Sequence, residues 1–251
     1  MTHKPSVAIL SLGLAACQIG GEPDPFSGEK SVAQAVTAGF SWSMAGVLAV
    51  GYEPIDATPA ELLAAHFSYV GQMAVNGCAN NTPPYSCASN GCIYPGNPSP
   101  DVLGYLPLRD WMILHRNAGL YVGLWGVSYN NVEAEAHCMA EVANTLKTTH
   151  GVTATFFDVD GEKSFETNPG YSQRFVNEFK STLSFPINKA YTPECHNAVP
   201  MVPWLDAGFG SIMPMAYWDD PTVGTNPSYC LNWLLAYGVP LDHAQPMLDG
   251  Y

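Results

Sequence analysis

The chain has 251 residues, 47% hydrophobic and only 12% charged, about half the usual charged share of roughly 25%. Such a composition supplies a large core and excludes a disordered chain. Nine Lys+Arg against 22 Asp+Glu leave a formal net charge of −13, which repels phosphate and argues against nucleic acid or an anionic membrane as partner.

Residues 1–251 suit one domain of α/β-barrel size. Met1–Cys17 has two readings. Lys4, the apolar run Val7–Ala16 and Leu14-Ala15-Ala16-Cys17 resemble a bacterial lipoprotein signal. Alternatively Ser6–Ala16 is a first strand buried on both faces, which the count of strand–helix units favours. Gln18–Gly28 is a Gly/Pro-rich loop, Glu29–Ala38 a short helix and Ala45–Tyr52 a buried strand. Thr58 is placed as an N-cap with Pro59 first in the helix and Glu61 third. Leu62, Leu63, His66, Phe67, Val70 and Met73 then continue at helical spacing.

Cys78–Pro100 reads as a long decorated loop holding Cys78, Cys87 and Cys92. A disulfide staple, free thiols or a metal site would each fit, although the Cys spacing matches no zinc pattern. Cys138, Cys195 and Cys230 read as small core residues. Seven cysteines leave at least one free or paired between chains. Helices are expected over Asp101–Asn117, Val132–Thr149, Pro169–Leu183, Val199–Ala207 and Ser228–Tyr237. Strands are expected over Leu120–Val127, Val152–Val159, Ile187–Tyr191, Ile212–Tyr217 and Pro240–Leu248. Glu133 and Glu135 are placed on an exposed helix face. This alternation predicts an α/β fold with a parallel sheet, a TIM (β/α)8 barrel either complete or short of a unit, decorated by the Cys/Pro-rich loop. No stretch reaches the roughly 18 apolar residues of a membrane span, and no Gly-rich phosphate fingerprint occurs.

The segment Thr153–Glu166, TATFFDVDGEKSFE, carries the chemistry. Side chains of a strand alternate, so Asp158, Asp160 and Glu162 share one face, which in a barrel points inward at the C-terminal mouth. Carboxylates crowded there shift each other's protonation, and one holds a proton near neutrality. That is what acid catalysis of glycoside cleavage needs. Structural acids and a divalent-cation site are the competing readings. Trp125, Tyr129, Tyr191, Trp204, Tyr217 and Trp218 fall at or just after strand ends. Trp204 is placed in the core, and Trp125 and Trp218 at the mouth, where flat apolar rings suit sugar faces. His196 is a loop histidine with no assigned role, and Ser128 and Ser211 lack a serine-hydrolase context.

Asp158-Val159-Asp160-Gly161-Glu162 resembles the D-x-D-x-E strand end of family 18 glycoside hydrolases, the chitinase-like TIM barrels. Met213-Pro214-Met215-Ala216-Tyr217-Trp218-Asp219 resembles their M-x-Y-D strand. In this count they are the fourth and sixth strands, and the resemblance covers roughly Leu120–Pro240. A weaker similarity joins Leu120–Ser128 to phage and bacterial barrels of the family 25 lysozyme type. The family 18 resemblance implies Glu162 as proton donor and Asp160 as the residue orienting the substrate's N-acetyl group. It implies that Asp158 tunes Asp160, Tyr217 bonds the acetamide and Asp219 holds the sugar, with no cofactor or metal. The implied partner is an N-acetylhexosamine glycan, chitin or peptidoglycan in type. The competing expectation is a silent barrel, glycan-binding or structural, at a cell surface or in a virion. Low charge and an odd cysteine would suit an oligomer or assembled particle there.

Overall fold

The computed structural model describes residues 8–11, 40–41, 44, 46–49, 58–161, 164–195, 199–216, 227–245 and 247–250. Among the described residues nine strands form one sheet: β1 (Ala8–Ser11), β2 (Gly46–Ala49), β3 (Tyr69–Asn76), β4 (Tyr121–Ser128), β5 (Phe156–Gly161), β6 (Asn188–Pro193), β7 (Ser211–Ile212), β8 (Met215–Ala216) and β9 (Met247–Gly250). From β2 to β7 each strand pairs parallel with the next, giving six parallel strands in chain order and a curled sheet. The expected first strand is present as Ala8–Ser11. It runs antiparallel to both β2 and β9, a departure from an all-parallel pattern. Isolated parallel bridges join Glu194 to Met215 and Ile212 to Ala244.

Helices follow the strands: α1 (Pro59–Ala64), α2 (Tyr105–Asn117), α3 (Val132–Thr148), α4 (Ser164–Thr167), α5 (Gly170–Thr182), α6 (Val202–Asp206) and α7 (Pro227–Ala236). Thr58 caps α1 as its spacing predicts. Its hydroxyl accepts from the Glu61 N–H at 3.3 Å, and its own N–H reaches Glu61 Oε2 at 2.7 Å. The helical reading past Leu63 is corrected. α1 stops at Ala64, His66 takes φ 65°, and Tyr69–Asn76 is a strand. Apolar spacing there imitated a helix because a strand buried on both faces shows no polar alternation. This extra strand makes the carboxylate strand fifth in the chain rather than fourth, and Ser211–Ala216 the seventh position rather than the sixth. Counted from β2 along the parallel run, they are fourth and sixth.

The buried apolar residues separate into two layers. One packs between sheet and helices and includes Val70, Val122, Leu124, Phe157, Val159, Tyr191, Phe175 and Trp204. The other lies on the opposite, inner face and includes Leu48, Tyr69, Met73, Trp125, Val127, Phe156, Ala190 and Met213. Phe157 and Val159 sit in the helix-side layer and Phe156 in the inner one, so the alternation of β5 turns Asp158 and Asp160 inward.

Three disulfides form, Cys78–Cys92, Cys87–Cys138 and Cys195–Cys230, so Cys138, Cys195 and Cys230, expected as small core residues, are also bonded. They are buried, but by bonding partners brought close in space from 51 and 35 residues away. Cys17 lies outside the described residues, as do Glu29–Ala38 and His196.

Candidate functional site

The strand registers line up inner-face residues in rows. Met73, Trp125, Asp158 and Ala190 form one row across β3–β6. Asn76, Val127, Asp160 and Thr192 form the next, nearer the C-terminal strand ends. A register shift in β3 between Met73 and Val75 makes this possible. It is a bulge, whose extra residue reverses the alternation and turns Asn76 inward.

Asp158 is only 1% exposed. The Thr192 hydroxyl lies 3.0 Å from its Oδ1 and 2.9 Å from its Oδ2. Burial pushes the Asp158 carboxyl up to about 7, against the opposing pull of hydrogen bonds from Thr192 and the Val159 backbone. The hydroxyl has one proton to give. Its second short contact is satisfied when Asp158 carries a proton of its own and donates it to Thr192 Oγ. Asp160, half-buried one row above, is more open to water. Two neighbouring carboxyls in unlike surroundings are the arrangement that separates an acid from a base.

Trp125 stands beside Asp158 in the lower row, 4% exposed, with its indole N–H donating to the Ala49 carbonyl at 2.7 Å. It is therefore packed into the inner layer beside Asp158, below the mouth position expected of it. Beneath it Phe156 is fully buried, edge-on to Tyr69 and stacked with Phe40. Glu162, Tyr217, Trp218 and Asp219 lie outside the described residues.

Tyr191 faces the helices, stacked on Trp204 at 3.8 Å between ring centroids. Burial raises its phenol well above the ordinary value, and the nearby negative charges of Asp160, Glu166 and Glu194 raise it further. The placement of Trp204 in the core is correct; Tyr191 joins it there.

Glu135 corrects the solvated-face reading. It is fully buried, accepting from Ser128 Oγ at 2.7 Å, the Tyr129 N–H at 3.0 Å and the Cys78 N–H at 3.3 Å. Burial raises its carboxyl, and these donors oppose the rise. Glu133 is half-buried and ion-pairs with Arg174 while accepting from Asn81 at 2.6 Å. The loop after β3 folds back over α3 and covers what helical periodicity alone leaves exposed. Thr192, Glu166, Asn76 and Asp101 are further residues that the strand-end reading did not single out. Their roles depend on register and on loop return, which no local spacing encodes. Among the described residues no group of three or more His, Cys, Asp or Glu is placed to hold a metal ion. No described helix is long and apolar enough to cross a membrane.

No protein-family model and no curated protein matches the chain. Among solved structures, a chitinase from Chromobacterium violaceum ATCC 12472 is similar with a TM-score of 0.52 and 15% identity, over 79% of this chain and 66% of that one. The fold is chitinase-like. This chain spans just under two thirds of the length of that chitinase. A family 18 chitinase from Pseudoalteromonas aurantia gives a TM-score of 0.44 and 11% identity, over 74% of this chain and 77% of that one.

Proposed function

We propose that this chain is a glycoside hydrolase that cleaves an N-acetylhexosamine polymer of the chitin or peptidoglycan type. The observation that carries the reading is the pair of inward carboxyls on β5, Asp158 dry and near neutrality in its proton affinity, Asp160 one row higher and wetter. Glu162 follows Asp160 by two residues in the sequence and is assigned the role of proton donor. Asp160 orients the substrate's N-acetyl group, which attacks the anomeric carbon as Glu162 protonates the leaving oxygen. Asp158 shares its proton with Asp160 as charge develops. Tyr217, Trp218 and Asp219 are assigned the sugar contacts, and Trp125 supports the row of Asp158 from its side. None of these steps calls for a cofactor or metal.

The barrel is read as closed. The bridges Glu194–Met215 and Ile212–Ala244 support placing residues 211–216 between β6 and the last strand, and β1 joins that strand to β2. Residues 1–251 are accordingly read as one domain. Three disulfides suit an oxidising, extracellular setting.

Glu162→Gln keeps the side chain's shape and removes its titratable proton. Turnover of a labelled N-acetylhexosamine oligosaccharide should fall at least about a hundredfold with binding retained. Unchanged turnover would remove the assignment. A second reading, a silent glycan-binding or structural barrel, is favoured by Thr155, which stands where the family carries a further Asp. Binding by the unmodified chain without any product would select it.

A further inference from the structure

The excursion after β3, residues 77–104, lies on one face of α3. Asn81 donates to Glu133 Oε2 at 2.6 Å and accepts the Ala134 N–H at 2.9 Å. The Cys87 N–H donates to Glu141 Oε2 at 3.0 Å, beside the Cys87–Cys138 disulfide. Between Glu133 and Glu141 on that face stands His137, its ring centroid 6.2 Å from that of Tyr85 in the excursion. Both ring nitrogens of His137 face carboxylates. Nδ1 is 2.7 Å from Glu178 Oε1 on α5, which also accepts from the Thr182 hydroxyl at 3.0 Å. Thr182 Oγ1 is itself 3.1 Å from Nδ1, but its proton is committed to Glu178. Nε2 is 4.0 Å from Glu141 Oε2, the same oxygen that holds the Cys87 N–H.

A neutral imidazole carries one proton. The short contact places it on Nδ1 for Glu178, which turns the bare lone pair of Nε2 toward a group that only accepts. Protonation puts a hydrogen on Nε2 and a positive charge on the ring, and the opposed contact becomes an ion pair. The carboxylate oxygen keeps a second lone pair for Cys87. The other charged or titratable groups packed around the ring are Tyr85 and the Glu133–Arg174 pair that joins α3 to α5. Burial, then the charges of Glu133 and Glu178, raise the Tyr85 phenol, so it stays neutral. Arg174 compensates Glu133. Histidine is the side-chain type that changes charge near neutrality. We propose that His137 is an acid-engaged clasp, which on protonation links Glu178 of α5 through Glu141 to the Cys87 N–H and holds the excursion more tightly on α3. The added contact belongs to the protonated ring, so the clasp is complete on the acid side and is lost as pH rises through the ring's titration. The excursion ends near the candidate site, where Asp101 accepts from Asn76 at 3.3 Å in the row of Asp160. The inference stands apart from the glycosidase reading.

The experiment follows exchange of the Cys87 N–H with water by NMR on the full, oxidised chain, from about pH 5.5 to about pH 8. Each rate is compared with that of an unstructured peptide, so that the pH dependence of exchange itself cancels, and the His137 ring signals are recorded in the same samples. Protection should fall about threefold as pH rises, the size expected of a partly exposed ion pair, with its midpoint at the ring's own titration. His137→Gln should remove the step. Glu141→Gln keeps an acceptor for Cys87 without the charge and should remove it as well; it decides the matter if the first variant does not fold. Protection in the unmodified chain that is flat or rises with pH would overturn the proposal. So would a step of equal size in a folded variant, or a midpoint that departs from that of the ring. None of these results bears on turnover by Glu162→Gln, so the hydrolase reading survives failure of the clasp.

Discussion

The chemistry of a single carboxyl dominates at the residue scale. Asp158 is dry because its row is filled by Met73, Trp125 and Ala190, and a dry carboxylate is costly unless protonated. Its affinity for the proton rises from an ordinary 3.8 to about 7 on folding. The folded protein thus binds a proton that the unfolded chain has already released over that interval. Its contribution to stability is fully present below about pH 4 and is lost as pH climbs to about 7, with no further change above. The loss is on the order of 4 kcal/mol. Asp158→Asn mimics the protonated acid and still has an amide to hydrogen-bond Thr192. Urea midpoints measured from pH 4 to pH 8 should fall for the unmodified chain and stay flatter for the variant, which should be the more stable of the two at pH 8. Parallel curves would show that Asp158 does not hold its proton. Under the proposed mechanism the same variant should also lose activity, because it has no proton to share with Asp160.

At the scale of elements, the inner face of the sheet is a graded stack. Gly71 and Gly123 face each other across β3 and β4 where the Phe156 ring passes. A Cβ at either position would meet that ring or, at Gly71, also Leu48. The bulky aromatic layer therefore sits under the carboxylates and keeps water below them out. Gly123→Ala should cost about 1–3 kcal/mol by overpacking. Adding Phe156→Leu, itself destabilising alone, should recover part of that loss in a double-mutant cycle followed by chemical unfolding. Strict additivity would show that the two do not touch. Elements with strong local signals were legible in the sequence: the Thr58–Glu61 capping box, the long apolar face of α3, and the end of α2 where Gly119 takes φ +98°. So was the inward pairing of Asp158 and Asp160, because a two-residue period needs no tertiary knowledge. β3 was not legible. Both its faces are buried, and the turn through His66 that separates it from α1 carries no glycine or proline to mark it. Thr192 was equally hidden, since it reaches Asp158 only through the register between β5 and β6.

Across the whole molecule, covalent and non-covalent stabilisation are distributed unequally. Cys78 lies just beyond the end of β3 and Cys195 just beyond the end of β6. Cys138 belongs to α3, the helix that follows β4. All three disulfides thus secure chain leaving the C-terminal ends of the strands, the end that bears the candidate site. Among the described residues the aromatic and glycine packing at the opposite end involves no cystine. Loops of 14, 35 and 51 residues each lose about 3–4 kcal/mol of unfolded-chain freedom by closure, a sum that is not additive because two of the loops overlap. Reduction should therefore act on the site before it acts on the fold. The excursion that carries Asp101 would lose its anchor on α3, Glu135 would lose the covalent restraint on Cys78 above it, and the hydrogen bonds from Tyr129 to Asn76 and from Asn76 to Asp101 would loosen while the sheet below stayed packed. Titrating the oxidised protein with dithiothreitol at a fixed temperature should lower the proposed turnover of a labelled N-acetylhexosamine oligosaccharide at reductant levels that leave the far-ultraviolet circular dichroism unchanged, with the melting temperature falling in step with the thiols released. Coincident loss of activity and secondary structure would mean that the staples hold the whole sheet together, and that its two ends are one cooperative unit.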